Sequence, residues 1–171
     1  NDLPPEVVVR AVNHYLPGDV AVKGACVIER DFDVRRRAVA RCYRYRVARA
    51  AVRSPLRERY CLVTGRGMDV KLMRAAAREL QGTHDFASFA TSLDQAESTV
   101  RVVHEARVLE ADYGVELVVT ANAFLRHQVR NTVGQLLRVG LGNCTVEEFA
   151  DLVAHPRRGT AGPAAPARGL C

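Results

Sequence analysis

Two β-prone runs lie almost end to end in this chain: "TVRVVHEARVLEA" (99–111) and "VELVVTANAF" (115–124), with only "DYG" between them. Parallel neighbours need a crossover of a dozen or more residues, so a three-residue spacer leaves an antiparallel hairpin as the available solution. The domain must therefore be built around a sheet. Three more runs offer themselves as strands: "VAVKGACVIE" (20–29), Ala40 to Val47, and "YCLVTG" (60–65). The second alternates with period two. Arg41, Tyr43, Tyr45 and Val47 share one face, and Cys42, Arg44 and Arg46 share the other.

Helices fall between these runs. "PPEVVVRAVNHYL" (4–16) has prolines in its first turn. In 68–80, Asp69 is the N-cap and Val70, Met73, Ala77 and Leu80 form the stripe, with Gly82 ending it. In "FLRHQVRNTVGQLLRVG" (124–140), Leu125, Val129, Val133, Leu136 and Leu137 recur at helical spacing. "TVEE" (145–148) is a capping box opening a last helix to about His155. "THDFASFAT" (83–91) and the Gly/Pro/Ala-rich tail read as loops. Strands and helices in this order predict an α+β domain with a mostly antiparallel sheet and helices on one face. With 171 residues and no linker, a single domain over 1–171 is expected.

Composition narrows the classes. Apolar residues make up 48% and charged residues 26%, which excludes wholesale disorder. No apolar run approaches the ~20 residues of a membrane span. The five cysteines form no CxxC pair, and the five histidines show no ligand spacing, so no metal site is expected. The cysteines read as free thiols in a reducing cytoplasm, with Cys26, Cys42 and Cys61 in the core. No glycine-rich phosphate loop or serine elbow is present.

Charge is the informative departure. Lys+Arg number 25 against 19 Asp+Glu, for a formal +6, and only Lys23 and Lys71 are lysines. GC-rich codon usage accounts for arginine in general. Clusters such as "RRRAVARCYRYR" (35–46) also suit bidentate phosphate contacts and stacking. Arg126 and Arg130 stand at i and i+4 in the long helix, where like charges repel unless an anion faces them. Gly134, in mid-helix, implies close approach of another backbone or of a ligand. His84 and Asp85, being adjacent, suit a capping role better than a catalytic pair. The profile is that of a nucleic-acid-binding protein. A solvated basic face is the competing reading.

Five segments in order carry a resemblance: "LPGDVAV" (16–22), "FDVRRRAVARCYRYRV" (32–47), "GTHDFASF" (82–89), "ANAFLRHQVRNTVGQLLRVG" (121–140) and "APARGL" (165–170). The series resembles the bacterial tRNA pseudouridine synthase A family. The resemblance implies the pseudouridine synthase fold and isomerisation of uridine to pseudouridine in the tRNA anticodon stem-loop, at tRNA positions 38 to 40. It further implies a cytoplasmic homodimer without cofactor or metal, working on an extruded base. Tyr43 matches the active-site tyrosine, Arg130 the arginine that pairs with the nucleophilic carboxylate, and Leu170 an apolar pocket residue. Arg35 matches an RNA-contacting arginine. Arg36, Arg37, Arg41, Arg44 and Arg46 are divided between RNA phosphates and structural pairing, and Arg126 joins the RNA-binding candidates. The family's nucleophilic aspartate lies in an "RTDxGVHA" motif that these residues do not contain. The expectation is therefore the carboxy-terminal, larger part of such an enzyme, inactive alone. The alternatives are a non-catalytic RNA-binding module and a basic structural domain.

Overall fold

A computed structural model describes residues 3–52, 54–91 and 98–171. By their internal contacts the residues form two compact units, 1–38 and 39–171.

In the first unit, α1 (Pro5–Tyr15) opens with proline at its first position, where a missing N–H costs no intrahelical bond. The run 20–29 is not a strand. A strand needs a neighbour to pair its backbone, and no strand is found among the described residues of this unit. The side chain of Asn13 takes that place at one residue. Its Nδ2 donates to the Val22 carbonyl at 2.8 Å and its Oδ1 accepts from the Val22 N–H at 2.7 Å. Further on, the Asp33 carboxylate accepts from the N–H groups of Arg35 (2.8 Å) and Arg36 (3.1 Å), fixing a turn.

The second unit runs β1 (Arg41–Arg49), α2 (Pro55–Glu58), β2 (Leu62–Thr64), α3 (Val70–Arg78), β3 (Gly82–Asp85), β4 (Val100–Ala111), β5 (Gly114–Ala121), α4 (Gln128–Gly140) and α5 (Val146–Ala154). The sheet has the order β2-β1-β5-β4-β3. The β4–β5 hairpin forms as its spacer requires, and β1 lies antiparallel to β5 with Tyr43 opposite Val119 and Tyr45 opposite Leu117. Among the described strands, only β2 runs parallel to its neighbour, β1. The intervening chain, with α2, supplies the crossover.

The alternation in β1 sorts the sheet into two faces. Tyr45 and Val47 join Val108, Val115, Leu117 and Val119 in one core, closed by Met73 of α3, Val133 and Leu136 of α4, and Phe149 of α5. The fold is thus α+β, mostly antiparallel, with α3, α4 and α5 over this face. On the other face Val118 is buried, with Arg44 and Arg107 as its cross-strand neighbours, residues whose apolar stems suit covering it.

Caps set the helix ends. The Asp69 carboxylate accepts from the N–H groups of Lys71 and Leu72 at 2.9 and 3.0 Å. Thr145 and Glu148 form the reciprocal capping box of α5. Gly134 meets the expected close approach: a Cβ there would collide with the Pro163 carbonyl oxygen. Three local readings change. Gly82–Asp85 is a strand, because β4 offers it an edge to pair with. Cys26 and Cys42 are exposed and only Cys61 is buried among the three expected in the core. Cys26 lies in the run that forms no strand, and Cys42 takes the polar face of β1. The long helix starts at Gln128, so Arg126 lies before it and shares no helical stripe with Arg130.

Candidate active-site cleft

The start of α4 is set by buried polar groups. Gln128, 2% exposed, accepts from the Leu125 N–H at 2.8 Å through its side-chain oxygen. Asn131, also buried, donates to the Phe89 carbonyl at 2.6 Å. Just before them, His127 stands at φ 63°, the one positive-φ residue other than glycine among the described residues. Left-handed backbone costs an L-residue about 1–2 kcal/mol. Here it turns the chain sharply from the Phe124–Arg126 segment into the helix.

That turn faces the end of β1 and the tail. The residues enclose a cavity of about 260 Å³, lined by Tyr43, Phe124, Arg126, His127, Arg130 and Leu170 among others. The rings of Tyr43 and Phe124 meet edge to face, 5.2 Å between centroids at 80°. Each is only partly buried, so the aromatic wall is available to a flat partner.

The tail completes the cleft. Pro163 reaches α4 through the space at Gly134. Ala165 is bonded twice to Arg130: its N–H donates to the Arg130 carbonyl at 2.9 Å, and its carbonyl accepts from Arg130 Nε at 2.7 Å. The Tyr45 hydroxyl donates to the Pro166 carbonyl at 2.8 Å. Gly169 packs so tightly on the Tyr45 ring that a Cβ would fall 2.6 Å from Cζ. Leu170 then bridges to Tyr45, and Cys171 exchanges two 2.8 Å backbone bonds with Arg44. Burial pushes the Tyr45 phenol up to about 12, against the opposing pull of Arg130 and Arg168.

Arg130 is thereby oriented by its Nε and lies half-buried. Among the described residues no carboxylate lies within ion-pair distance of it. Elsewhere arginines do find partners. Arg44 Nη1 and Arg46 Nε meet the two Glu116 carboxylate oxygens at 2.8 and 3.4 Å. Burial alone would raise Glu116, but the Tyr113 hydroxyl and both guanidiniums outweigh it, and the carboxyl sits below its ordinary range.

The structure thus brings together Tyr43, Arg126, Arg130 and Leu170. Arg41 lies at the start of β1, with Nη1 donating to the Asn122 carbonyl at 2.6 Å. Arg44 is on the opposite sheet face, engaged with Glu116. Arg35, Arg36 and Arg37 lie in the first unit. There Arg36 contacts Asp33 at 3.5 Å and Arg37 stands 5.8 Å over the Phe32 ring. His84 and Asp85 act locally: His84 Nε2 meets the Gln81 carbonyl and Asp85 accepts from the Ala87 N–H. Phe124 and His127 line the cleft without having been singled out. A ligand-spacing test passes over a lone histidine, and left-handed backbone has no sequence mark when the residue is not glycine. Among the described residues, no His/Cys/Asp/Glu group is placed to hold a metal, and no helix is long and apolar enough to cross a membrane.

An arginine held beside an aromatic wall, on a basic α+β scaffold, has the chemistry to suit a flat, anionic ligand. Comparison with known proteins makes the class specific. A sequence model of the family described as tRNA pseudouridine synthase matches residues 76–171. The chain is 40% identical over 169 residues to tRNA pseudouridine synthase A of Syntrophotalea carbinolica, covering 99% of this chain and 67% of that protein. It is 40% identical to the enzyme of that name from Chloroflexus aurantiacus (96% and 61% covered) and 41% identical to that of Myxococcus xanthus (98% and 64%). The chain belongs to the tRNA pseudouridine synthase family and spans about two thirds of the length of these relatives.

Proposed function

We propose that the chain carries the base-binding side of a tRNA pseudouridine synthase acting on uridines at tRNA positions 38 to 40, in the anticodon stem-loop. In the reaction the C1′–N1 glycosidic bond breaks, the uracil turns, a C1′–C5 bond forms, C5 gives up its proton to solvent and N1 takes one up, so product and substrate are isomers. Nothing is consumed, which fits a sequence without a cofactor motif. The Tyr43 ring lies against the extruded uracil and Leu170 bounds the apolar side. Arg130, aimed by its bond to Ala165, holds the nucleophilic carboxylate ionised and oriented. The reading requires that carboxylate from the full-length protein, since the described residues offer Arg130 none. Arg35, Arg36, Arg37, Arg41 and Arg126 serve the RNA phosphates. Arg44 serves them only where its contact with Glu116 leaves donors over. A cytoplasmic homodimer is part of the same proposal.

The observation that carries it is Arg130: half-buried, held by one nitrogen, and facing a cleft with Tyr43 and Leu170 but, among the described residues, no acid. The same observation favours a second reading, an RNA-binding module without chemistry. Tritium release from tRNA labelled at uridine C5, with the full-length protein, separates the two. Stoichiometric release supports the synthase. Binding without release leaves the module.

A further inference from the structure

The one strained residue of the cleft has no part in the chemistry above. His127 pairs Nδ1 with the Thr91 hydroxyl at 3.2 Å. Its carbonyl accepts from the Asn131 N–H at 2.9 Å, which ties the strained residue into the first turn of α4. Asn131 Nδ2 in turn contacts the same Thr91 hydroxyl at 3.2 Å. With Nδ1 so engaged, Nε2 is the ring nitrogen without a partner among the described residues. The residue is exposed and lines the same cavity as Tyr43, Arg126 and Arg130. Backbone held in a sparsely populated region, and over-determined by its surroundings, marks a place where position matters more than local comfort. A glycine or asparagine would take this conformation with less strain.

We propose that His127 is a nucleotide-positioning residue: the left-handed turn presents its imidazole at the cleft wall, where Nε2 hydrogen-bonds a phosphate oxygen of the nucleotide seated against Tyr43. The basic side chains of Arg126 and Arg130 on the same cavity make an anionic oxygen the fitting acceptor. The inference rests on the proposed base-binding role of the cleft.

Two substitutions in the full-length protein separate ligand contact from local support. His127→Asn places an amide where Nδ1 was, keeping the Thr91 contact and suiting the left-handed backbone. His127→Gln reaches to the position of Nε2 but fits that backbone less well. Stability should therefore rank Asn at or above Gln, by up to about 4 °C in Tm. Turnover should rank the other way. We expect kcat/KM for tRNA to fall about ten-fold or more in His127→Asn and to recover several-fold in His127→Gln. Affinity for a uridine-containing anticodon stem-loop RNA is measured alongside. Should the wild type bind this RNA without converting uridine, the proposed function fails, and Gln binding more tightly than Asn still upholds His127. Asn equal to or better than Gln in both quantities overturns the role, as does a wild type that neither binds nor converts.

Discussion

The two faces of β1 use arginine in opposite ways. On the polar face, Arg44 and Arg46 close on Glu116, with the Tyr113 hydroxyl also donating to that carboxylate at 2.9 Å. Their charge is satisfied at home. On the core face, at the mouth where Tyr43 emerges, Arg130 is fixed by a carbonyl and left without an acid among the described residues. Both sets are arginines beside tyrosines, and composition does not tell them apart. What separates them is whether the fold supplies the counter-charge. An arginine with its carboxylate built in holds structure together. One that is oriented and half-buried, with no acid beside it among the described residues, fits the proposed role of meeting a carboxylate from the full-length protein.

The largest expected effect tests that contrast directly. In the full-length protein, Arg130→Ala should lower kcat for uridine isomerisation by about 10²–10³-fold, while affinity for tRNA changes by less than about three-fold. Arg130→Lys should recover little, because the Nε bond to Ala165 and the planar fork are both lost. Steady-state kinetics with a filter-binding isotherm checks both numbers. If affinity and turnover fell together, Arg130 would be another phosphate contact, and the contrast between the faces would dissolve.

Tyr45 sharpens the comparison from inside the core. It shares a face with Tyr43 two residues away, yet it is fully buried and its hydroxyl holds Pro166. Tyr45→Phe keeps the ring against Gly169 and removes only that bond. The expected cost is about 1 kcal/mol, read as a Tm lower by about 2–4 °C. A several-fold loss in kcat should accompany it, because the tail that aims Arg130 is less firmly held. The phenol's rise to about 12 carries a sign. The native state binds this proton more tightly than the unfolded chain, whose tyrosine titrates near 10. The stabilisation is present below pH 10 and fades as pH climbs from there to about 12. Denaturant titrations across that window should show a slope in the wild type that Tyr45→Phe lacks.

How much of this was legible beforehand differs by residue. The hairpin followed from a spacer too short for anything else, and the Asp69 and Thr145 caps from local side-chain chemistry. The period-two alternation in β1 put Tyr43, Tyr45 and Val47 on one face and Cys42, Arg44 and Arg46 on the other, as the structure has them, but it did not say which face was the core, and reading Cys42 as core pointed to the wrong one. The parallel β2 was not legible, because pairing direction depends on where a crossover delivers the chain. The run 20–29 has a strand's alternation but no partner, and alternation says nothing about partners. In the cleft, Gly134 announced a close approach but not that Pro163 makes it. The tail read as a loop, although its contacts with Tyr45 and Arg130 make it a wall of the site. Such contacts join residues more than a hundred positions apart, or hang on one carbonyl, and neither leaves a pattern in the chain.

The smallest expected effect lies on the polar face. Glu116→Gln keeps shape and the Tyr113 contact but removes the charge that faces Arg44 and Arg46. Both arginines are about half exposed, at 53% and 41% of the side chain, so solvent screens much of the attraction. The loss at neutral pH should be about 1 kcal/mol. Because the carboxyl is held below its ordinary 4.5 in the folded state, its contribution is present above that value. It is lost as pH falls through the folded pKa. Urea unfolding of wild type and Glu116→Gln should therefore differ at pH 7 and converge in acid. Turnover at neutral pH should be unchanged, since none of the side chains of Arg44, Arg46, Tyr113 and Glu116 lines the cleft. A Glu116→Gln protein that kept its stability but lost turnover would show that the far face governs the cleft after all, and that home pairing of an arginine is no guide to its role.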